Sequence, residues 1–552
     1  MQTQRPTRAA PLASLALATL LQTPAPAQSG SPDIAWIVPA DGAFQAGANW
    51  DGGSPPGPTQ NARFALPLAH TVVFLNNAAN AALRLDGDAN TTLNLAGRSY
   101  ALGAPTSISI AELPNASTSL HIRNGAVASQ NIHVGAVEGS TGALLISAAA
   151  LTASQDLFLP RAEHASATLG IAEGASLSAR TIYLGFDDGS HGAALVHGPG
   201  STLAASLDLI VGQFGDATLE TLGGARSSCQ NFAVGRAATS TGHARVAGVG
   251  SELFTIFKLS VGSGFGAGAS LEIADGAAAR SLFGVVAEFQ SSAAHVAIRG
   301  AGSLWDVEDA LYIGYRSSGS LSVEQGARLE SRFAVLGRYS GGAGHVRVMH
   351  AGSRWHNEQR IDVGVPPGGA SSLYVDRDAS VHSATVHIGP LGTLAGEGAI
   401  EARVLNAGVH RPGPDASNGA AAAPGVGVVL GDYAILSGGA LEIDLQGETP
   451  GVEHDLLAVA GAITLGGELR VFAPAGFDPP LGAAFRIAVA NSIDGRFHRI
   501  ALPELPWPRR LTVEQGPDFL ELRCALRSPT ELMDLLAPTE PARGPLAAKQ
   551  SP

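Results

Sequence analysis

Lysine is almost missing from this chain: among 552 residues only Lys258 and Lys549 carry that side chain. Charged residues make up 15%, and the formal net charge of -13 is spread without an acidic block or a basic run. A nucleic-acid surface needs clustered Lys and Arg to displace counterions from phosphates, so the sequence argues against that partner. Aromatics are 5% and methionines number 3, unlike a helical protein. Cysteine is limited to Cys229 and Cys524. They fall in different expected domains, so no disulfide framework supports the fold and two buried free thiols are expected. The apolar run Leu12 to Leu21 is about half of the ~20 residues that span a bilayer, and no other stretch reaches that length.

What the chain does have is glycine, 69 residues of it, within a 45% apolar composition. Such a chain can bury enough surface to offset its ordering entropy, and it suits short strands broken by tight turns. At the N-terminus Arg5 and Arg8 precede the Leu12 to Leu21 run, and Ala25-Pro26-Ala27 follows it. That pattern predicts a secretory signal peptide over residues 1–27 and an extracellular, surface or periplasmic destination.

A repeat dominates the middle. An aliphatic residue plus glycine recurs at Val134-Gly135, Leu184-Gly185, Val211-Gly212, Val234-Gly235, Val261-Gly262, Ile313-Gly314, Leu336-Gly337, Val363-Gly364 and Ile388-Gly389, with degenerate copies at Leu159-Pro160 and Val286-Ala287. The step is about 25 residues. Two half-types alternate. One carries Gly-Ala, as at Gly174-Ala175 and Gly276-Ala277; the other carries Gly-Ser, as at Gly302-Ser303-Leu304-Trp305 and Gly352-Ser353-Arg354-Trp355. Between turns, apolar and polar residues alternate, as in Leu271-Glu272-Ile273 and Val346-Arg347-Val348. Period two means strands with one buried face. A single coil cannot bury its apolar face alone, so coils must stack. The expected fold is an all-β, right-handed parallel β-helix.

The two alternating halves, each closed by Val-Gly, resemble the repeats of bacterial type V secretion-associated, autotransporter-like β-helix proteins over about residues 104–405. Asn49-Trp50-Asp51-Gly52-Gly53 resembles how such secreted chains begin, and segments such as Gly466-Gly467-Glu468-Leu469 resemble their C-terminal β-region. The resemblance implies a passenger-type secreted scaffold. A membrane barrel of alternating strands of about ten residues is not visible after residue 525, so release, or retention by an outer-membrane secretion partner, is the expectation. The domain reading is an N-terminal β cap over 28–103, coils over 104–405 and a Pro/Gly/Ala linker over 406–427. A C-terminal β domain follows over 428–525, either a sandwich or widened final coils. Residues 526–552 are read as a disordered tail with a short helix around Thr530 to Leu536.

Candidate sites follow from stacking. His243, His295 and His345 occupy one place in alternate coils, with Ser270, Ser320 and Ser372 between them. Like residues two coils apart sit about 9.6 Å from each other, too far to share one metal ion, so edge hydrogen bonding is expected. Phe186, Phe214, Phe265, Phe289, Tyr315 and Tyr339 each follow the Val-Gly turn and predict a rising aromatic column. Corner packing is the first reading of that column; a platform for the flat faces of sugar rings is the second. Trp305 and Trp355 align with Leu203 and Leu253, hence with the core. Asp187, Asp188 and Asp216 are the acids that a hydrolase reading would have to use. His454-Asp455 and Asp494 suit structural turns. No catalytic residue, metal ligand or cofactor site is assigned. The expectation is a structural or adhesive scaffold meeting extracellular glycans or surface polymers. The alternative is a glycoside hydrolase or lyase on the same fold.

Overall fold

The computed structural model describes residues 31–265, 268–290, 292–414 and 423–528. The expected signal peptide, most of the linker's Ala run and nearly all of the tail, including Thr530 to Leu536, lie outside the described residues.

The chain is a parallel β-solenoid of about 17 coils at a spacing of about 25 residues. A typical coil has three short strands, such as Ser166–Ala172, Ser176–Ala179 and Ile182–Leu184. Each pairs in parallel with its counterpart one coil on: Ser166 faces His191, Ser176 faces Thr202, and Ile182 faces Leu209. The three strands define a first, second and third face. Alternation does what the pattern predicted. Leu169, Ala194, Leu219, Ala244, Leu271 and Val296 form one register column and all are buried. The core is a set of such columns running the length of the rod.

The turn residues follow from close packing. Gly314 has φ +70, and a Cβ there would lie 2.2 Å from the Ala343 carbonyl of the next coil, so the corner after the third strand takes glycine. The two alternating half-types have a shared cause. Ser201, Ser251, Ser303 and Ser353 are buried, and their hydroxyls accept from the backbone N–H of Gly174, Gly224, Gly276 and Gly326 in the preceding coil, at 3.0–3.2 Å. The Ser251 and Ser303 hydroxyls also donate to the carbonyls of Ala247 and Arg299. A Gly-Ser coil thus satisfies the part-buried turn donor of the Gly-Ala coil beneath it. A fully buried donor left without a partner would cost about 1–3 kcal/mol, and these half-covered ones less. The roughly fifty-residue double repeat is this hydrogen bond.

Winding starts before residue 104 and runs past 405. Asp33–Ala35 pairs in parallel with Asn61–Phe64, which pairs with Leu83–Leu85, which pairs with Thr106–Ile110. The segment expected to cap the solenoid is therefore wound into it. The actual cap is smaller. Asn49 and Asp51 pair backbone groups with Ile37 and Ala35 along the first strand, while the Asn49 amide and the Trp50 indole N–H donate to the carbonyls of Ala43 and Phe44. Trp36 and Trp50 meet edge to face at 5.3 Å and are both buried. At the other end, Val409–Arg411 and the first half of Val426–Val429, expected as linker, are ladder strands. Residues 428–525 form no sandwich. Parallel pairing continues to Ser492–Gly495 and Arg499–Ala501. The second face then closes with the antiparallel pair Arg509–Gln515 and Phe519–Leu526, the latter also antiparallel to Ala484–Val489. Reversing direction turns the growing edge into a hairpin, one way to end a stack. Cys229 and Cys524 are buried and unpaired.

Candidate functional site

The outward side of the third face is where aromatic side chains gather. His133, Phe158, Tyr183, Ile210, Ala233, Ser260, Val285, Tyr312 and Val335 occupy one register column. Phe158 and Tyr183 stack at 5.1 Å and 7° between planes, and His133 meets Phe158 at 5.2 Å. Burial, aided by the charge of Arg161, lowers the His133 pKa to about 4, so this imidazole is a neutral ring near neutral pH.

The six aromatics predicted to rise as one column form three separate pairs in the adjoining turns. Phe186 and Phe214 meet at 6.5 Å, Phe265 and Phe289 at 5.0 Å, and Tyr315 and Tyr339 at 4.9 Å. Among the described residues no ring contact joins one pair to the next. The first break has a plain cause: the turn after Val234 carries Gly235-Arg236-Ala237 and no ring. Packing accounts for only part of the set, since Phe214 is 42% and Phe265 58% exposed. Phe186 also packs against Phe158 and Tyr183, with the Arg161 guanidinium 5.0 Å above its ring.

The ring-free turn opens a groove of about 520 Å³. Its floor is the register column Asp208, Asn231 and Lys258. Its walls include Phe257, Phe265 and Phe289. Lys258 Nζ lies 2.7 and 3.0 Å from the two carboxylate oxygens of Glu288, and the Ser260 hydroxyl donates to the same carboxylate at 2.6 Å. The Asn231 amide donates to Asp208 at 2.9 Å, with Arg236 at 4.0 Å. Sequence reasoning named Phe265 and Phe289 but missed this polar floor. The available signal was scarcity: the only lysine among the described residues points into the groove.

Other predicted positions have structural partners. The His/Ser ladder stacks as expected, with His243 to Ser270 at 2.7 Å, His295 to Ser320 at 2.9 Å and His345 to Ser372 at 3.0 Å. Each imidazole is bonded to serine in the next coil. Trp305 and Trp355 are fully buried, in the same register column as Leu203 and Leu253. Asp187 faces Arg161 at 3.5 Å, and burial raises its pKa. Asp216 accepts from the Thr241 N–H on the first face. Asp187 thus sits in a turn and Asp216 at the start of a first-face strand. Asp455 is buried and accepts from the N–H groups of Gly425 and Asp444. The buried His454 ring touches the carbonyls of Gly447 and Arg486, and Asp494 is exposed in the last third-face strand. Among the described residues no cluster of three His, Cys, Asp or Glu is placed to hold a metal ion, and no helix is long and apolar enough to cross a membrane. No protein-family model matches the chain, and no curated protein matches it at significant similarity.

Proposed function

We propose that this protein is a bacterial secreted or cell-surface scaffold whose third face binds an extracellular glycan lengthwise, exported by a route like that of autotransporter passengers. The observation that carries the reading is the aromatic face itself. From His133 to Val335 the register column spans eight coil steps, or about 38 Å at about 4.8 Å per step. Flat rings recur along it and in the flanking turns, partly exposed, beside polar donors such as Asn231 and Lys258. Sugar rings have an apolar face and a polar rim, and that combination suits them. A stiff rod with a distributed face gains affinity from many shallow contacts along one polymer.

The groove favours holding over cutting. Hydrolysis needs one carboxyl group as proton donor and a second as base or nucleophile. Glu288 is occupied by Lys258 and Ser260, and Asp208 by Asn231 with Arg236 alongside. Both acids serve as anchors for the groove floor.

The test is retention on a panel of bacterial and plant polysaccharides, with reducing ends assayed in parallel. Phe257 and Phe265 are about half exposed, so the F257A/F265A/F289A variant is expected to fold normally. It should bind at least about tenfold more weakly, which corresponds to about 1.4 kcal/mol. Undiminished binding by this variant would remove the groove from the site, and release of reducing sugar by the wild type would replace scaffold with enzyme.

A further inference from the structure

Beyond the groove, toward the C-terminus, the turns that follow the third face carry two arginines, Arg316 and Arg338, with no acidic partner among the described residues. The Arg316 guanidinium lies 5.0 Å from the centre of the Tyr339 ring, and that of Arg338 lies 5.4 Å from the same ring and 5.9 Å from Tyr312. Other arginines of this face differ: Arg161 pairs with Asp187, Arg236 with Asp208, Arg332 with Asp309 and Arg360 with Asp362, while Arg403, in the register column of Arg360, lies over no aromatic ring among the described residues. Neither Arg316 nor Arg338 lies within ion-pair distance of a carboxylate among the described residues, and both are exposed. Two guanidinium groups thus share one tyrosine ring in a chain whose formal net charge is -13.

From this arrangement we infer that Arg316 and Arg338, with the hydroxyls of Tyr315 and Tyr339, recognise the carboxylate or sulfate groups of an acidic polysaccharide. The inference rests on the third face being the glycan face and names the class of glycan. Lying over a ring holds each guanidinium in place; Arg338 also gives a hydrogen bond to the Tyr339 hydroxyl, and the remaining N–H groups of the pair suit a flat carboxylate or a sulfate. The two phenols, with rings 4.9 Å apart and hydroxyls hydrogen-bonded to each other, leave one O–H and the oxygen lone pairs beside the guanidinium groups. Burial pushes the Tyr315 hydroxyl up to about 12, whereas the Tyr315 hydroxyl and then Arg338 lower that of Tyr339. Glu288, the carboxylate whose charge reaches Tyr315, is already held by Lys258. The acidic balance of the whole chain does not override the cluster, because charges more than about 8 Å away are screened at physiological ionic strength.

The experiment measures binding of the full chain to two matched polymer pairs: dextran sulfate with dextran, and polygalacturonate with its methyl-esterified form. Variants are R316Q/R338Q and, as a control on the second face, R354Q. The expected result is at least about tenfold tighter binding of a charged polymer than of its neutral partner, weakening with added salt. R316Q/R338Q should abolish that preference and R354Q should keep it. If neutral and charged polymers bind alike, or if R316Q/R338Q keeps the preference, the inference falls while the glycan reading stands. If no polymer of either pair binds, both fall together.

Discussion

Replacing Trp305 with alanine is expected to cost about 3–5 kcal/mol of stability, and Trp355→Ala the same, because each leaves a cavity in the core. Both indoles are fully buried. Their N–H groups donate to the Ser281 and Ser331 hydroxyls at 3.3 and 3.0 Å. In their column large and small residues alternate, Ala279, Trp305, Leu329, Trp355 and Val381, so the space an indole leaves has no neighbour long enough to fill it. Because each coil contacts mainly the coils beside it, the damage should weaken one region before the rest. Chemical denaturation followed by fluorescence and by hydrogen exchange checks both points. The exposed Trp507, at 67%, is the control, and Trp507→Ala should move stability by no more than about 0.5 kcal/mol. A similarly small effect at Trp305 would place that side chain outside the core.

Acid is the second large effect. His410 is buried in the strand Val409–Arg411, and burial lowers its pKa from 6.5 to about 3. Its Nδ1 lies 2.9 Å from the Tyr433 hydroxyl, which accepts from the Asn406 amide at 3.1 Å. The phenol therefore donates to a neutral imidazole, and protonation both charges a buried ring and breaks that chain of donors. The sign follows. The unfolded imidazole takes a proton near pH 6.5 and the folded one only near pH 3, so stability is full above pH 6.5 and falls as pH drops toward 3. The eventual loss is on the order of 4–5 kcal/mol. His133, with a pKa lowered to about 4 by burial and then Arg161, adds a loss of the same sign over pH 6.5 to 4. Asp455 acts in the opposite sense, since burial pushes its carboxyl up to about 7 and its stabilising share is lost as pH rises from about 4 to 7. The difference between wild type and His410→Gln isolates the imidazole. Unfolding midpoints measured from pH 7.5 to 4 should converge for the two proteins as pH falls. Parallel curves would mean that His410 titrates normally in the folded chain.

How far the sequence could be read depended on what marked each coil. Where a turn needs glycine for lack of space, as at Gly314, or a serine bridge to the coil beneath, as at Ser303, the marker is written in the chain and the register followed from it. The His/Ser ladder and the buried Trp305 and Trp355 were legible for the same reason. The first coils, with strands at Asn61–Phe64, Ala69–Val73 and Leu83–Leu85, use other turn residues and so read as a cap. The last coils have longer and less regular turns, and their alternation alone does not separate a sandwich from a solenoid. The aromatic face was half legible. Spacing identified six rings, yet whether neighbouring rings touch depends on side-chain direction, and the substitution of Arg236-Ala237 for a ring turned an expected column into walls around a groove. That Arg316 and Arg338 have no carboxylate beside them among the described residues could not be found by pattern, because it is a property of three-dimensional neighbours.

The claim beneath all of this is that successive segments of about twenty-five residues advance by one strand spacing along a common axis. Spin labels test it directly. With Cys229 and Cys524 replaced by alanine, one label is placed at Ser119 and a second at Thr218, Ser270 or Ser320, which lie four, six and eight steps away in a single register column. Dipolar distances should grow linearly, near 19, 29 and 38 Å at about 4.8 Å per step. Distances that fail to increase with the number of intervening coils would contradict the stacked solenoid, and with it the alignment of the aromatic groups along the third face.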